Sequence, residues 1–94
     1  MGTLEAQMKT IKEQLSTITA TGNAGAGMVE VTVNGDHKVV AININDIMLS
    51  PENKAMIETL VSSAFNDAND KLTIAIEEYT KRQIQNMGIG GIGL

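Results

Sequence analysis

Between Pro51 and Gly88 the sequence contains neither proline nor glycine. A helix over that span, from Pro51 to about Met87, is roughly 54 Å long at about 1.5 Å of rise per residue. A compact chain of 94 residues makes a globule only roughly 30 Å across. The helix must therefore project beyond its own monomer, and what its surface and ends touch becomes the question of function. Its start is marked by Ser50-Pro51-Glu52. Ser50 is expected to cap, Pro51 takes the first helical position where its missing N–H costs nothing, and Glu52 faces the positive end of the dipole.

At 100° per residue, Ile57, Val61, Ala64, Phe65, Ala68, Leu72, Ala75, Ile76 and Tyr79 form one stripe, expected to pack on the rest of the monomer. Met56, Leu60 and Ile74 fall on nearly the opposite side, with Ser63 and Asp67. A helix apolar on two sides needs two partners, which predicts a two-fold dimer with Met56, Leu60, Asn66, Asp67 and Ile74 at its interface. Asp67 has two readings. It is either a solvated carboxylate with an i,i+4 partner in Lys71, or, with Asn66, a polar group that fixes interface register.

Upstream, Leu4, Met8, Ile11, Leu15 and Ile18 follow a heptad seam. This predicts a helix over about residues 3–17, with Thr3 as its cap and Gly22 just past its end. The seam is read either as a stripe laid on the core or as a contact with a second copy. Thr17, Thr19 and Thr21 alternate and permit a short strand, and Gly22 to Gly27 reads as a flexible turn. Val29, Val31 and Val33 then alternate up to Asn34-Gly35, and Val40, Ile42 and Ile44 alternate beyond it. That pattern predicts a hairpin on a type I′ turn, with Val29 opposite Val40 and all six β-branched residues on one helix-covered face. The domain is expected over residues 1–87, with residues 88–94 as a flexible Gly-rich tail.

The composition narrows the function classes. Cysteine is absent, so disulfides and thiolate metal sites are excluded and a reducing compartment fits. No stretch reads as a secretory signal or membrane span, which predicts a cytoplasmic protein without membrane partners. Phe65 and Tyr79, the only aromatics, are too few for a single-strand stacking platform. His37 is the single histidine and reads as a solvated turn residue. The glycines of residues 22–27 lack the Lys-Ser/Thr of a phosphate loop, and the carboxylates form no metal cluster. The chain reads as a non-enzyme without cofactor, metal or small-molecule substrate. Its net charge of −4 argues against a general polyanion binder. Lys9 and Lys12 on the first helix, and Lys71, Lys81 and Arg82 on the projecting half of the second, nevertheless keep phosphate contact open.

Ser63-Ala64-Phe65-Asn66-Asp67-Ala68 closely resembles the Ala-Ala-Phe-Asn-Asp-Ala signature of the YbaB/EbfC family of bacterial nucleoid-associated proteins. Gly25-Ala26-Gly27 and the strand and Asn-Gly that follow, through Gly35, resemble that family's hairpin segment. The two motifs occur in the family's order and separation, and the resemblance covers nearly the whole chain. It implies an α+β protomer of α-β-β-β-α order, with a small antiparallel sheet and a long projecting C-terminal helix, forming a tweezer-like homodimer on duplex DNA. It also implies a first strand at Thr19 to Asn23 and DNA contacts from Lys9, Lys12, Lys71, Lys81 and Arg82. Relatives often carry basic residues in the hairpin and a Gly-rich leader. Here Glu30, Val40 and Ala41 stand in such hairpin places and the helix begins almost at once, which lowers the expected affinity.

The function this predicts is a nucleoid-associated homodimer that binds duplex DNA with little sequence preference, for chromosome organisation or gene regulation. The alternative is a dimeric protein-interaction module with weak or lost DNA binding.

Overall fold

The computed structural model describes residues 2–86. The order is α1 (Gly2–Ser16), β1 (Thr19–Ala24), β2 (Val29–Asn34), β3 (Val39–Ile44), two short 3-10 turns (Asp46–Met48 and Pro51–Asn53), and α2 (Lys54–Asn86). The strands form one antiparallel sheet in the order β1-β2-β3. The predicted α+β, α-β-β-β-α architecture is what the chain adopts. The Gly-rich tail expected at residues 88–94 lies outside the described residues. So does the side chain of Thr3, whose backbone falls within α1 rather than before it.

One face of the sheet is laid on α2, and small residues set how closely. Ala64, Ala68 and Leu72 are fully buried against Val29, Val31 and Val33 of β2 and Ala20 of β1. Gly22 lies within β1, not in a turn after α1 as its composition suggested. A Cβ there would stand 2.1 Å from the Ala68 backbone nitrogen and 2.2 Å from the Ala64 carbonyl oxygen. The strand backbone therefore rests directly on the helix backbone. Phe65 lies on the rim of this core, half-buried, with Leu60, Val61 and Ile76.

The hairpin forms with a different turn and register from those the Asn-Gly pair suggested. Val29 pairs with Ile44 and Val31 with Ile42, and an irregularity after Thr32 sets Val33 opposite Val39. The loop holds Gly35, Asp36 and His37, closed by hydrogen bonds from the His37 N–H to the Asn34 carbonyl (2.8 Å) and from the Asn34 N–H to the Lys38 carbonyl (3.0 Å). His37 takes the left-handed conformation at φ 63°, as in a three-residue loop with a bulge. The Asn34 side chain accepts from the Asp36 and Lys38 N–H groups, so the asparagine acts through its side chain. Gly35 serves packing instead of turn geometry. A Cβ on it would stand 1.8 Å from the Leu15 carbonyl oxygen at the end of α1.

Two further expectations are corrected. α2 covers β1 and β2 but not β3, where Val39, Val40 and Ile42 all remain exposed. Nor does α1 lay its stripe on the core, for Met8 is 64% and Ile11 50% exposed. The α2 entry also differs in detail. Ser50 makes no side-chain cap, and its hydroxyl donates to the Glu52 carboxylate at 3.0 Å. Pro51 occupies the first helical position of the 3-10 turn that leads into α2.

The molecule is long for its mass. Its radius of gyration is 18.0 Å and its extents are 59 × 29 × 15 Å, against a radius near 12 Å for a compact chain of this length. The last ten described residues of α2 and all but the C-terminal end of α1 leave the sheet as arms.

Candidate nucleic-acid interface

The arms and the sheet end carry different charge. α1 with the last ten described residues of α2 holds four cations (Lys9, Lys12, Lys81, Arg82) and four acids (Glu5, Glu13, Glu77, Glu78). The rest of the chain holds three cations and seven acids. The whole net charge of −4 thus sits at the sheet end.

Helical spacing explains how the cations share the arms with acids. Lys81 and Arg82 follow Glu77 and Glu78 by four residues, the spacing of weak surface pairs. Lys12 has no acid three or four residues away on either side. Lys9, Lys12, Lys81 and Arg82 are all exposed. The Tyr79 hydroxyl is hydrogen-bonded to the Gln14 side chain. This contact brings α1 beside α2 just where both leave the sheet, with Lys12 and Lys81–Arg82 within three residues of it. Nothing in the sequence pattern singles out Gln14, a polar residue outside the apolar seam.

Lys71, the fifth predicted cation, lies elsewhere. Its ammonium nitrogen is 2.9 Å from the Asp67 carboxylate and donates to the Thr21 carbonyl of β1 at 3.4 Å. The same Asp67 oxygen accepts from the Asn23 N–H at 3.0 Å. Lys71 chiefly, and the Asn23 N–H next, hold the Asp67 carboxyl below the usual carboxylate range. The i,i+4 pairing expected of Asp67 and Lys71 is therefore present, and it is attached to a strand edge.

Of the five residues predicted at a dimer interface, Asp67 is engaged with β1 and Leu60 packs on the rim of its own core beside Gly25. Met56, Asn66 and Ile74 are exposed. A larger apolar surface, not anticipated, lies on the other flank. β3 carries Val39, Val40 and Ile42, the last two each 53% exposed, and Ile47 and Leu49 follow at 71% and 61%. Asn69 points to the α2 flank away from β1, since it lies about 200° around the helix from Asp67. Its side-chain oxygen is cut off from solvent without a hydrogen-bond partner among the described residues. The signal that could have found this surface is arithmetic. Three strands and one covering helix leave one strand uncovered.

His37 is exposed in its turn, and no group of three or more metal-binding side chains occurs among the described residues. An open cleft of about 370 Å³ at the head of α2 is lined by Leu49, Ser50, Pro51, Lys54, Ile57 and Glu58, far along the helix from the arm cations. No described helix is long and apolar enough to cross a membrane.

Known proteins agree with this architecture. The YbaB/EbfC DNA-binding family matches residues 1–87. A nucleoid-associated protein of Bartonella tribocorum is 37% identical over 78 residues, which is 83% of this chain and 73% of that protein. One of Coxiella burnetii is 39% identical over 75 residues, covering 80% of this chain and 67% of the other. Among solved structures, an uncharacterized protein from Helicobacter pylori superposes with a TM-score of 0.62 at 28% identity, over 92% of this chain and 95% of that one.

Proposed function

The chain belongs to the YbaB/EbfC DNA-binding family, and from that premise we propose that it is a non-enzymatic, cytoplasmic, nucleoid-associated homodimer that binds duplex DNA through its arms. The observation that carries the arm assignment is the charge partition. A polyanion is repelled by the sheet end, where the exposed Lys38 and Lys54 are outnumbered by acids, and meets exposed cations matched one to one with acids on α1 and the end of α2. Lys9, Lys12, Lys81 and Arg82 are the phosphate contacts in this reading. Lys71 contributes least, because its ammonium is held by Asp67 and the Thr21 carbonyl.

The homodimer is supported by the uncovered strand. β3 has a free edge and exposed β-branched side chains, and a second copy placed along it covers both. The dimer surface is then centred on Val39, Val40 and Ile42, with the exposed members of the α2 set, Met56, Asn66 and Ile74, as peripheral residues. Two copies double the number of arm cations available to one duplex, while the arms stay neutral in sum.

The mechanism is backbone neutralisation with counterion release and little sequence preference. With roughly four to six phosphate contacts per dimer, log affinity falls against log salt with a slope of roughly −4 to −5. A gel-shift titration between roughly 50 and 200 mM salt measures it. Lys81→Ala/Arg82→Ala is expected to flatten the slope by roughly 2–3, while Lys38→Ala/Lys54→Ala at the sheet end leaves it unchanged. Absence of binding at the lower salt sinks the reading. That outcome, with the dimer intact, favours a protein-interaction module, to which the acidic sheet end is suited.

A further inference from the structure

The two edges of the sheet are not equivalent. Alternate residues of a strand direct both their N–H and C=O to the same side. The Asn23 N–H is bonded to Asp67 and the Thr21 carbonyl to Lys71, so residues 21 and 23 point away from β2. On an unprotected edge, a neighbouring strand would offer an acceptor to Asn23 and a donor to Thr21. Here a carboxylate and an ammonium on successive turns of α2 offer the same pair. They are joined to each other at 2.9 Å, and both reach the middle of the strand from the side. Their backbone is fixed by the contact of Gly22 with Ala64 and Ala68. Among the described residues, no side chain is bonded to the outer edge of β3 in this way.

We propose that the Asp67–Lys71 pair stands in for a fourth strand on the outer edge of β1 and confines self-association to the β3 edge, so that assembly closes at two copies. A chain with two open edges joins neighbours at both and grows without closing. A chain with one open edge stops when that edge is paired. The end state of two rests on the homodimer reading above, whereas the sealing of β1 stands without it.

The test is the solution mass of the full chain by size exclusion with light scattering across a range of concentrations. Asp67→Ala/Lys71→Ala removes both stand-in groups. Its mass is expected to exceed that of the wild type by whole protomers and to climb with concentration. Adding Asn23→Pro removes the outward N–H and closes the edge by other means, which is expected to return the mass to the wild-type value. A folded double variant that keeps the wild-type mass overturns the proposal. So does growth that Asn23→Pro fails to reverse, since general stickiness would survive that change. Should the double variant not fold, hydrogen exchange on the wild type decides. The Asn23 amide is expected to exchange at least about tenfold slower than its intrinsic rate, and exchange at the intrinsic rate overturns the sealing. A monomeric wild type defeats the dimer reading alone, and the edge is then judged on whether the double variant newly associates.

Discussion

β1 and β3 flank the same strand, have the same length, and are treated in opposite ways. β1 is pressed onto α2 through Gly22, and two of its outward groups, the Asn23 N–H and the Thr21 carbonyl, are bonded to Asp67 and Lys71. β3 has Val39, Val40 and Ile42 exposed. Sequence hydrophobicity runs the other way. β1 is Thr-Ala-Thr-Gly-Asn-Ala and β3 is Val-Val-Ala-Ile-Asn-Ile. The less apolar strand is the one this protomer covers, because small residues allow the helix backbone to approach. The more apolar one is left uncovered by this protomer. A strand's hydrophobicity thus records how much surface must eventually be covered, and not which molecule covers it.

Gly22→Ala is the most severe way to break the contrast. Its Cβ meets helix backbone, which cannot rotate aside as a side chain can, so β1 must lift from α2. The expected loss is at least about 2 kcal/mol, read from urea unfolding with helix content as the probe. A Gly22→Ala protein with the wild-type midpoint would show that β1 is not seated where the contact with Ala64 and Ala68 places it.

On the other side, Ile42→Asp is expected to leave the protomer's own fold nearly as stable, because the side chain is already half in water. It puts an unpaired carboxylate in the proposed β3 contact, where desolvation costs several kcal/mol. The dimer dissociation constant is expected to rise on the order of 100-fold, measured by sedimentation. An unchanged constant would move the interface away from β3. Asn66→Ala, on the α2 set, then becomes the next variant to measure.

How far the sequence carried this picture differs between the same two flanks. The absence of proline and glycine after Pro51 identified α2 and its excess length, because helix breakers act locally. The alternation of valines identified β2, for period 2 is a property of one strand. What stayed hidden depends on distance in space. Gly35 looked like a turn glycine, yet it is required by Leu15, twenty residues earlier in the chain. Asn34-Gly35 fixed the presence of a hairpin and misled about its register, because the Asn34 side chain bonds Asp36 and Lys38 and lengthens the loop. For the candidate site, the arm cations were visible as charges at helical spacing. That Lys71 belongs to a strand edge was not visible, since its partner carbonyl on Thr21 is fifty residues away.

A smaller effect sharpens the β1 side alone. Asp67 is depressed in the folded state by Lys71 and the Asn23 N–H, and it titrates near 3.9 when unfolded. Its contribution is therefore fully present above the unfolded value and is lost as pH falls through the lower folded value. Wild type is expected to exceed Asp67→Asn in thermal stability at neutral pH, and the gap is expected to narrow and close as the buffer is taken down through and below the unfolded carboxylate value. A pH-independent gap would mean that the carboxylate's charge is irrelevant to its contact with β1.

The smallest expected effect lies in the turns that lead into and out of β2. Each holds a non-glycine residue with left-handed backbone, Ala26 at φ 56° and His37 at φ 63°. In that region a Cβ crowds the following carbonyl, a strain of about 1 kcal/mol that glycine avoids. Ala26 is exposed in the Gly25–Met28 turn, closed by the Met28 N–H on the Gly25 carbonyl at 3.1 Å. Ala26→Gly relieves the strain but adds freedom to the unfolded chain, so the net gain is only about 0.5 kcal/mol. His37→Asn tests the other turn, since asparagine tolerates the same conformation through its short polar side chain. Both variants are expected to raise the urea midpoint slightly at constant slope. If the dimer closes along β3, the His37 change alone also alters the dissociation constant, because its turn borders that strand. Equal behaviour of the two turns in sedimentation would remove the β2–β3 end from the contact.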